Sequence, residues 1–274
     1  MLPVPFLLLS GTVPHRMETT QLPFAFGSSL TVFRTLTARP NLKYSIVSTE
    51  DEDITQDIVD IIKKAMHSEL AHPSSRAIIY CPTLKLVNET HIMLCKQANG
   101  MYPQCFYGAM GVEEKDASLK SWREGPSKVM VATSSFGTGI DYGQVKMVIH
   151  HSYSVDVLSY IQEGGRAGRD GQSAECILVA DNLMLQGMAR VEDDDNDEWK
   201  KAKKAFAKFI LSPGCIRQNI QAVVDDQSLP CVAYPPDFRK CSVCESKGNN
   251  NRKCIISHPS TTLCLYFFYI VFLI

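Results

Sequence analysis

Four short runs of branched apolar residues mark the middle of the chain: RAIIYCP at 76–82, VMVAT at 129–133, VKMVIHH at 145–151 and ECILVA at 175–180. Each is bounded by turn residues and lacks the polar alternation of a half-exposed strand. That pattern predicts strands buried on both faces of a parallel sheet. Between them the apolar spacing turns helical. Thr83 to Gln97 alternates at helical period, Val112 to Arg123 opens with acids suited to a helix N-terminus, and Ser154 to Gly164 begins with a serine cap. Strand and helix alternate, which predicts a doubly wound α/β domain over about residues 43–185 with ligands at the carboxyl ends of its strands.

The flanks read differently. PFLLLSGTVPH is a single apolar strand leaving into a turn at Pro14, and one strand makes no sheet, so residues 1–42 read as the end of a preceding domain followed by a connector through ARPNLKYSIV. After the α/β domain, residues 186–248 form a smaller region. Six acids between Glu192 and Glu198 give way to the lysine-rich EWKKAKKAFAKF, acids first and lysines later as the helix dipole favours. This helix is either a solvated amphipathic one with Phe206 and Phe209 inward or a DNA-contacting face. Residues 249–274 form a tail whose last twelve residues, Leu263 to Ile274, are almost all apolar. A helical span needs about 20 residues, so no membrane is expected. The tail reads as a core strand or as sequence appended by a shifted splice or reading frame.

Composition narrows the setting. The 274 residues are 45% apolar, enough for a sizeable core, and the formal net charge of −1 means that any phosphate or nucleic-acid site must be a local concentration of cations. Ten cysteines in a chain of this length, whose start MLPVPFLLLS lacks a basic region before its apolar run, fit a reducing compartment with some thiols on metal. No repeat of 20–50 residues is present.

Three constellations carry candidate chemistry. In Gln162-Glu163-Gly164-Gly165-Arg166-Ala167-Gly168-Arg169-Asp170-Gly171, two arginines three apart sit among glycines. Guanidinium forks bind phosphate oxygens through paired, charge-assisted hydrogen bonds, and glycine permits close approach; the competing reading is a solvated Gly/Arg turn. In VATSSFGTGID, small and hydroxyl side chains follow a strand, and Asp141 is placed to accept from a ribose hydroxyl or an arginine; alone, the GTG is turn chemistry. The cysteines Cys215, Cys231, Cys241 and Cys244 form C-x15-C-x9-C-x2-C, four soft ligands suited to a closed tetrahedral structural zinc site. The alternatives are a loop with free thiols, or substitution by Cys254 and His258. His150 and His151, ending a strand, read as packing or turn residues.

LSGTVP, RPNLKYSIV, AIIYCPT, VMVATSSFGTGID, VIHH and YIQEGGRAGRDG, in this order, resemble the second half of a RecQ-type superfamily 2 DNA helicase over about residues 7–248, nearest the fungal members. The resemblance implies a RecA-like second helicase lobe followed by a small helical zinc-binding module. Two such lobes close on ATP and Mg2+, and hydrolysis drives 3′-to-5′ movement on single-stranded DNA. It implies that Arg166 and Arg169 stabilise charge on the transferring phosphate, with Gln162, Gly137, Gly139 and Asp141 on the ATP side. Thr133, Ser134, Tyr80 and Thr83 are implied to face nucleic acid, and Ser10 and Thr12 match the motif that couples the lobes. Zinc on the four cysteines would hold a helical hairpin from Ala202 to Val224.

The resemblance further implies single-stranded or forked DNA as partner, a nuclear location, and work in DNA repair and recombination. No G-x-x-x-x-G-K-[ST] loop or acidic metal box occurs in these residues. The expectation is therefore a motor lobe whose phosphate loop comes from a first lobe, in a longer chain or in trans. A non-catalytic module binding DNA or a protein partner is the alternative.

Overall fold

The computed structural model of the chain describes residues 7–8, 10–26, 31–35, 37–49, 53–97, 101–137, 141–191, 197–225, 227–247 and 271–273. It divides into two compact units, Asn41–Pro213 and a second made of Met1–Pro40 with Gly214–Ile274. The first elements, β1 (Leu7–Leu8), α1 (His15–Phe26) and β2 (Thr31–Phe33), belong to the second unit.

The larger unit is one six-stranded sheet. Its strands are β3 (Leu42–Thr49), β4 (Arg76–Tyr80), β5 (Gln104–Phe106), β6 (Val129–Ala132), β7 (Val145–His151) and β8 (Ala174–Asp181). They lie in the order β3-β8-β7-β4-β6-β5 with every pairing parallel. The four apolar runs are its central strands; β4 and β6 are buried at every residue, as two-sided cover demands. Leu42–Thr49, expected as connector, is instead an edge strand. Its Lys43, Ser45, Ser48 and Thr49 dilute the apolar signal because an edge position leaves much of it exposed. Neighbours β4 and β7 send their chains in opposite directions across the sheet, to β5 and to β8, which makes their carboxyl ends a topological switch point.

Helices cover both faces. They are α2 (Ile54–Ala65), α3 (Leu84–Gln97), α4 (Val112–Glu124), α5 (Val157–Gly164), α6 (Asn182–Arg190) and α7 (Glu198–Leu211). In α2, Ile54, Ile58, Val59, Ile62 and Ala65 form one buried stripe, joined in the core by Ile79, Val131, Ile149 and Val179. Each such aliphatic burial is worth about 1.5–3 kcal/mol. Asp53 caps α2 by accepting from the Gln56 amide, and Lys63 and Lys64 occupy its last turn, as the helix dipole favours. The start of α5 corrects the expected serine cap. Asp156 is the cap, accepting from the Ser159 amide at 2.7 Å, while Ser154 is buried and donates to Glu163. The compact unit also runs past 185: Phe206 and Phe209 of α7 pack edge-on against Tyr160 of α5, their centroids 5.8 and 6.0 Å away.

His151, at the end of β7, is a built-in acid sensitivity. Its Nε2 lies 3.0 Å from Thr55 Oγ1 and its Nδ1 2.7 Å from Ser152 Oγ. Burial holds its pKa down at about 4, against smaller opposing effects of a backbone hydrogen bond and Asp53. Because the folded value lies below the unfolded 6.5, the unfolded chain takes up the proton first. The stabilisation is complete above pH 6.5 and is lost as pH falls towards 4. Urea unfolding at pH 7.5 and pH 5 should show about 2 kcal/mol of loss from this group. The His151→Gln variant should show a correspondingly flatter profile.

The second unit gathers the cysteines. It adds α8 (Ile216–Val224), a 3-10 turn at Cys231–Ala233, α9 (Ser242–Ser246) and β9 (Val271–Leu273) to the three N-terminal elements. The N-terminal apolar run does not stand alone: β9 pairs antiparallel with both β1 and β2. The buried Arg217 of α8 donates to the carbonyls of Arg39 (2.7 Å) and Arg239 (2.8 Å) and sits 5.7 Å from the Phe238 ring. Asp225 accepts from the Thr37 amide and hydroxyl.

Candidate functional site

Two stretches widely separated in sequence lie side by side in the sheet unit. After β6 the chain makes a turn at Ser134–Gly137 and returns through Asp141 and Gly143 to the start of β7. The arginine turn, residues 165–171, follows α5. A Cβ built on Gly137 would stand 2.7 Å from Arg166 Nη2, so the guanidinium lies directly against that glycine. Arg169 donates to Asp141 at 2.8 Å. A Cβ on Gly143 would lie 3.5 Å from Asp170, which is itself paired with Lys146 at 2.7 Å. Gly139 was assigned to the same site by resemblance but lies outside the described residues.

The local sequence shapes the arginine turn. Arg166 N–H donates to Glu163 O, Ala167 N–H to Gly164 O, and Gly168 N–H to Val145 O at 2.8 Å. Ala167 is fully buried, which pins the turn between its two arginines. Gly168 has φ +59°, and a Cβ there would meet Asn41 Nδ2 at 2.5 Å and Gln172 O at 2.9 Å. Only glycine fits such a position without strain. Asn41 spans the turn, donating to Gly168 O and Gln172 O at 2.7 and 2.8 Å. Nothing in the motif pointed to Asn41; an asparagine one residue ahead of an edge strand carries no signal of its own.

The turn's backbone and its first arginine reach different ends of the sheet. Gly168 bonds to the first residue of β7, at the amino end of the sheet, and Arg166 reaches from there to the loop that follows β6. The expected nucleic-acid residues gather at the carboxyl ends of β4 and β6, beside the loop that Arg166 reaches. Thr83 follows β4, exposed, its hydroxyl accepting from the Leu86 amide at 3.3 Å. Thr133 follows β6, its hydroxyl 2.8 Å from Ser135, and Ser134 is exposed beside it. Gln162 is exposed on α5. In the second unit, Ser10 Oγ accepts from the Thr12 amide at 3.4 Å.

Tyr80 departs from its expected place on the nucleic-acid surface. It is 3% exposed, with its hydroxyl donating to Phe136 O at 2.6 Å. Burial raises its pKa, outweighing the nearby arginines, so the phenol stays protonated and able to donate. His150 stacks on it, centroids 5.6 Å apart, and places Nε2 3.0 Å from the buried Glu163, which also accepts from Ser154 Oγ at 3.1 Å.

The cysteines converge. The Sγ atoms of Cys215, Cys231, Cys241 and Cys244 all lie within 4.8 Å of one another, with 3.4 Å between Cys215 and Cys231 and 3.9 Å between Cys215 and Cys241. A tetrahedron of Zn–S bonds of about 2.3 Å has edges near 3.8 Å, so the donor set fits that ion. Cys215 caps α8 and Cys241 caps α9, where Cys244 falls in the first turn. Backbone N–H groups point at the sulfurs, from Cys231 to Cys215 and from Cys241 to Cys231, as supporting donors around metal thiolates do. Thiol hydrogen bonds from Cys215 and Cys231 hold Cys241 well below the usual thiol range. The alternatives Cys254 and His258 lie outside the described residues.

Residues 57–171 match the helicase conserved C-terminal domain. ATP-dependent DNA helicase Q1 of Mus musculus is 36% identical over 173 residues, covering 62% of this chain and 25% of the relative. Putative ATP-dependent DNA helicase Q1 of Caenorhabditis briggsae is 37% identical over 227 residues, covering 80% and 34%. RecQ-like DNA helicase BLM of Xenopus laevis is 29% identical over 202 residues, covering 72% and 14%. The matches support a RecQ-type helicase C-terminal region, and the chain spans about a third or less of each of these relatives. The arginine turn and the loop after β6 both lie within the matched residues; the cysteine cluster lies beyond them. No helix among the described residues is long and apolar enough to cross a membrane.

Proposed function

We propose that the sheet unit is the second motor lobe of an ATP-dependent 3′-to-5′ DNA helicase. Its arginine turn completes an ATP-Mg2+ site whose phosphate loop and acidic box are carried by a first lobe. The observation that carries this reading is the convergence of Gly137 with Arg166 and of Asp141 with Arg169. A glycine beside a guanidinium puts no side chain in the way of an approaching anion, and an exposed arginine–aspartate pair is worth about 1 kcal/mol or less, so phosphate oxygens displace it readily.

Thr83, Thr133 and Ser134 contact the backbone of single-stranded or forked DNA at the carboxyl ends of β4 and β6, where neutral hydroxyls suit phosphate without sequence preference. The four cysteines hold one structural Zn2+. A nuclear location and work in DNA repair or recombination belong to the same reading.

The test is DNA-stimulated ATP hydrolysis by the chain alone and combined with a separately made first lobe. The expected result is no turnover by either part and turnover by the pair, rising with single-stranded DNA. An inactive pair, both parts folded and bound to each other, favours instead a non-catalytic module that binds DNA or a protein partner.

A further inference from the structure

Tyr80 closes a ring of contacts around Arg166. It is the last residue of β4, and its one hydroxyl proton goes to Phe136 O at 2.6 Å. The phenol oxygen is left with acceptor capacity only, which suits a guanidinium, a group of donors only. The Arg166 guanidinium is near enough to act on that oxygen, and Arg166 Nη2 also lies against Gly137, the residue after Phe136. The ring of Tyr80 is held from its other side. His150 stacks on it at 22° to parallel and bonds Glu163, whose carbonyl accepts the Arg166 amide at 3.2 Å. The path from Tyr80 ring to His150, Glu163, Arg166 and back to the Tyr80 hydroxyl is closed, and every member except Arg166 is buried.

We propose that Tyr80 is a positioning residue for Arg166. Its hydroxyl ties the guanidinium to the Ser134–Gly137 turn, so that the arginine turn and that loop take up one arrangement before any nucleotide arrives. A long side chain with several rotamers is then held in one, and the approach to phosphate requires no search. The linkage belongs to this chain alone; its consequence for turnover rests on the motor-lobe reading.

The variant Tyr80→Phe keeps the ring and its stacking and deletes one oxygen. In the intact chain, NMR of the arginine guanidinium groups, with Arg166 assigned from its loss in Arg166→Lys, should show hindered rotation for Arg166. Free rotation should appear in Tyr80→Phe. Should that variant misfold, Gly137→Ala pushes a methyl to 2.7 Å from Arg166 Nη2 and should release the guanidinium in the same way. In the two-lobe assay, Tyr80→Phe should lower kcat about 10- to 100-fold with KM for ATP within about threefold. The loss should vanish in an Arg166→Ala background, because the two groups act as one.

An Arg166 signal unchanged in Tyr80→Phe, or a released Arg166 with wild-type kcat, overturns the proposal. An inactive wild-type pair together with a hindered Arg166 that Tyr80→Phe releases overturns the motor-lobe reading and leaves the linkage standing.

Discussion

Removing the metal should unfold the second unit and spare the sheet. The chain as purified under reducing conditions is expected to carry one zinc ion, and Cys241→Ser should reduce this to below about 0.1 per chain, because three thiolates and a hydroxyl no longer make a closed site. Structural zinc contributes on the order of 10 kcal/mol in small modules. The cysteine-bearing segments α8, the 3-10 turn and α9 total few residues, and their apolar stripe is short: Ile216, Ile220 and Val224. Apolar burial of three aliphatic side chains, at about 1.5–3 kcal/mol each, does not replace the ion. Hydrogen exchange should therefore report lost protection across Ile216–Val224 in Cys241→Ser while the amides of β4 and β7 keep theirs. Unchanged zinc content in the variant would rule out the assignment. The expected hairpin Ala202–Val224 would not respond as one body, since α7 packs with α5 and α8 belongs with the cysteines.

What the chain disclosed before its structure follows from how strongly each residue's surroundings constrain it. Strands buried on both faces leave a continuous apolar run, so β4, β6, β7 and β8 were legible within one or two residues. The edge strand β3 was not, because Lys43 and Ser45 are tolerated where one side faces water. The helix start at Asp156 was misjudged because Ser154 and Asp156 are both good caps, and only the burial of Glu163 decides which faces inward. The paired arginines, their glycines and Asp141 were legible because their chemistry permits few alternatives. Tyr80 was not: a phenol at a strand end is as fit for a surface as for an interior hydrogen bond, and only the Phe136 carbonyl opposite it settles which. Asn41 and the His150–Glu163 pair were invisible for the same reason, since their partners are distant in sequence and no spacing rule links them.

Replacing Arg166 with alanine should cost about 10³ in kcat of the two-lobe enzyme at saturating ATP, the lower end of what a correctly placed arginine contributes to phosphoryl transfer. Arg166 lies against Gly137, whereas Arg169 is held by Asp141, whose side chain is itself 84% exposed. Arg169→Ala should therefore be damaging as well, but through a residue that must first exchange one carboxylate partner for phosphate. Arg166→Lys should recover little, because a point charge on a flexible stem does not reproduce a planar fork aimed at two oxygens. Single-stranded DNA affinity, measured by anisotropy at fixed salt, should stay within about threefold in all three variants, since the hydroxyl residues assigned to DNA are untouched in each and the phosphate contacts they make set the affinity. If Arg166→Ala retains kcat within about threefold of wild type while remaining folded, the arginine turn is not the element that meets the transferring phosphate. The convergence of Gly137 and Asp141 on it would then be packing alone.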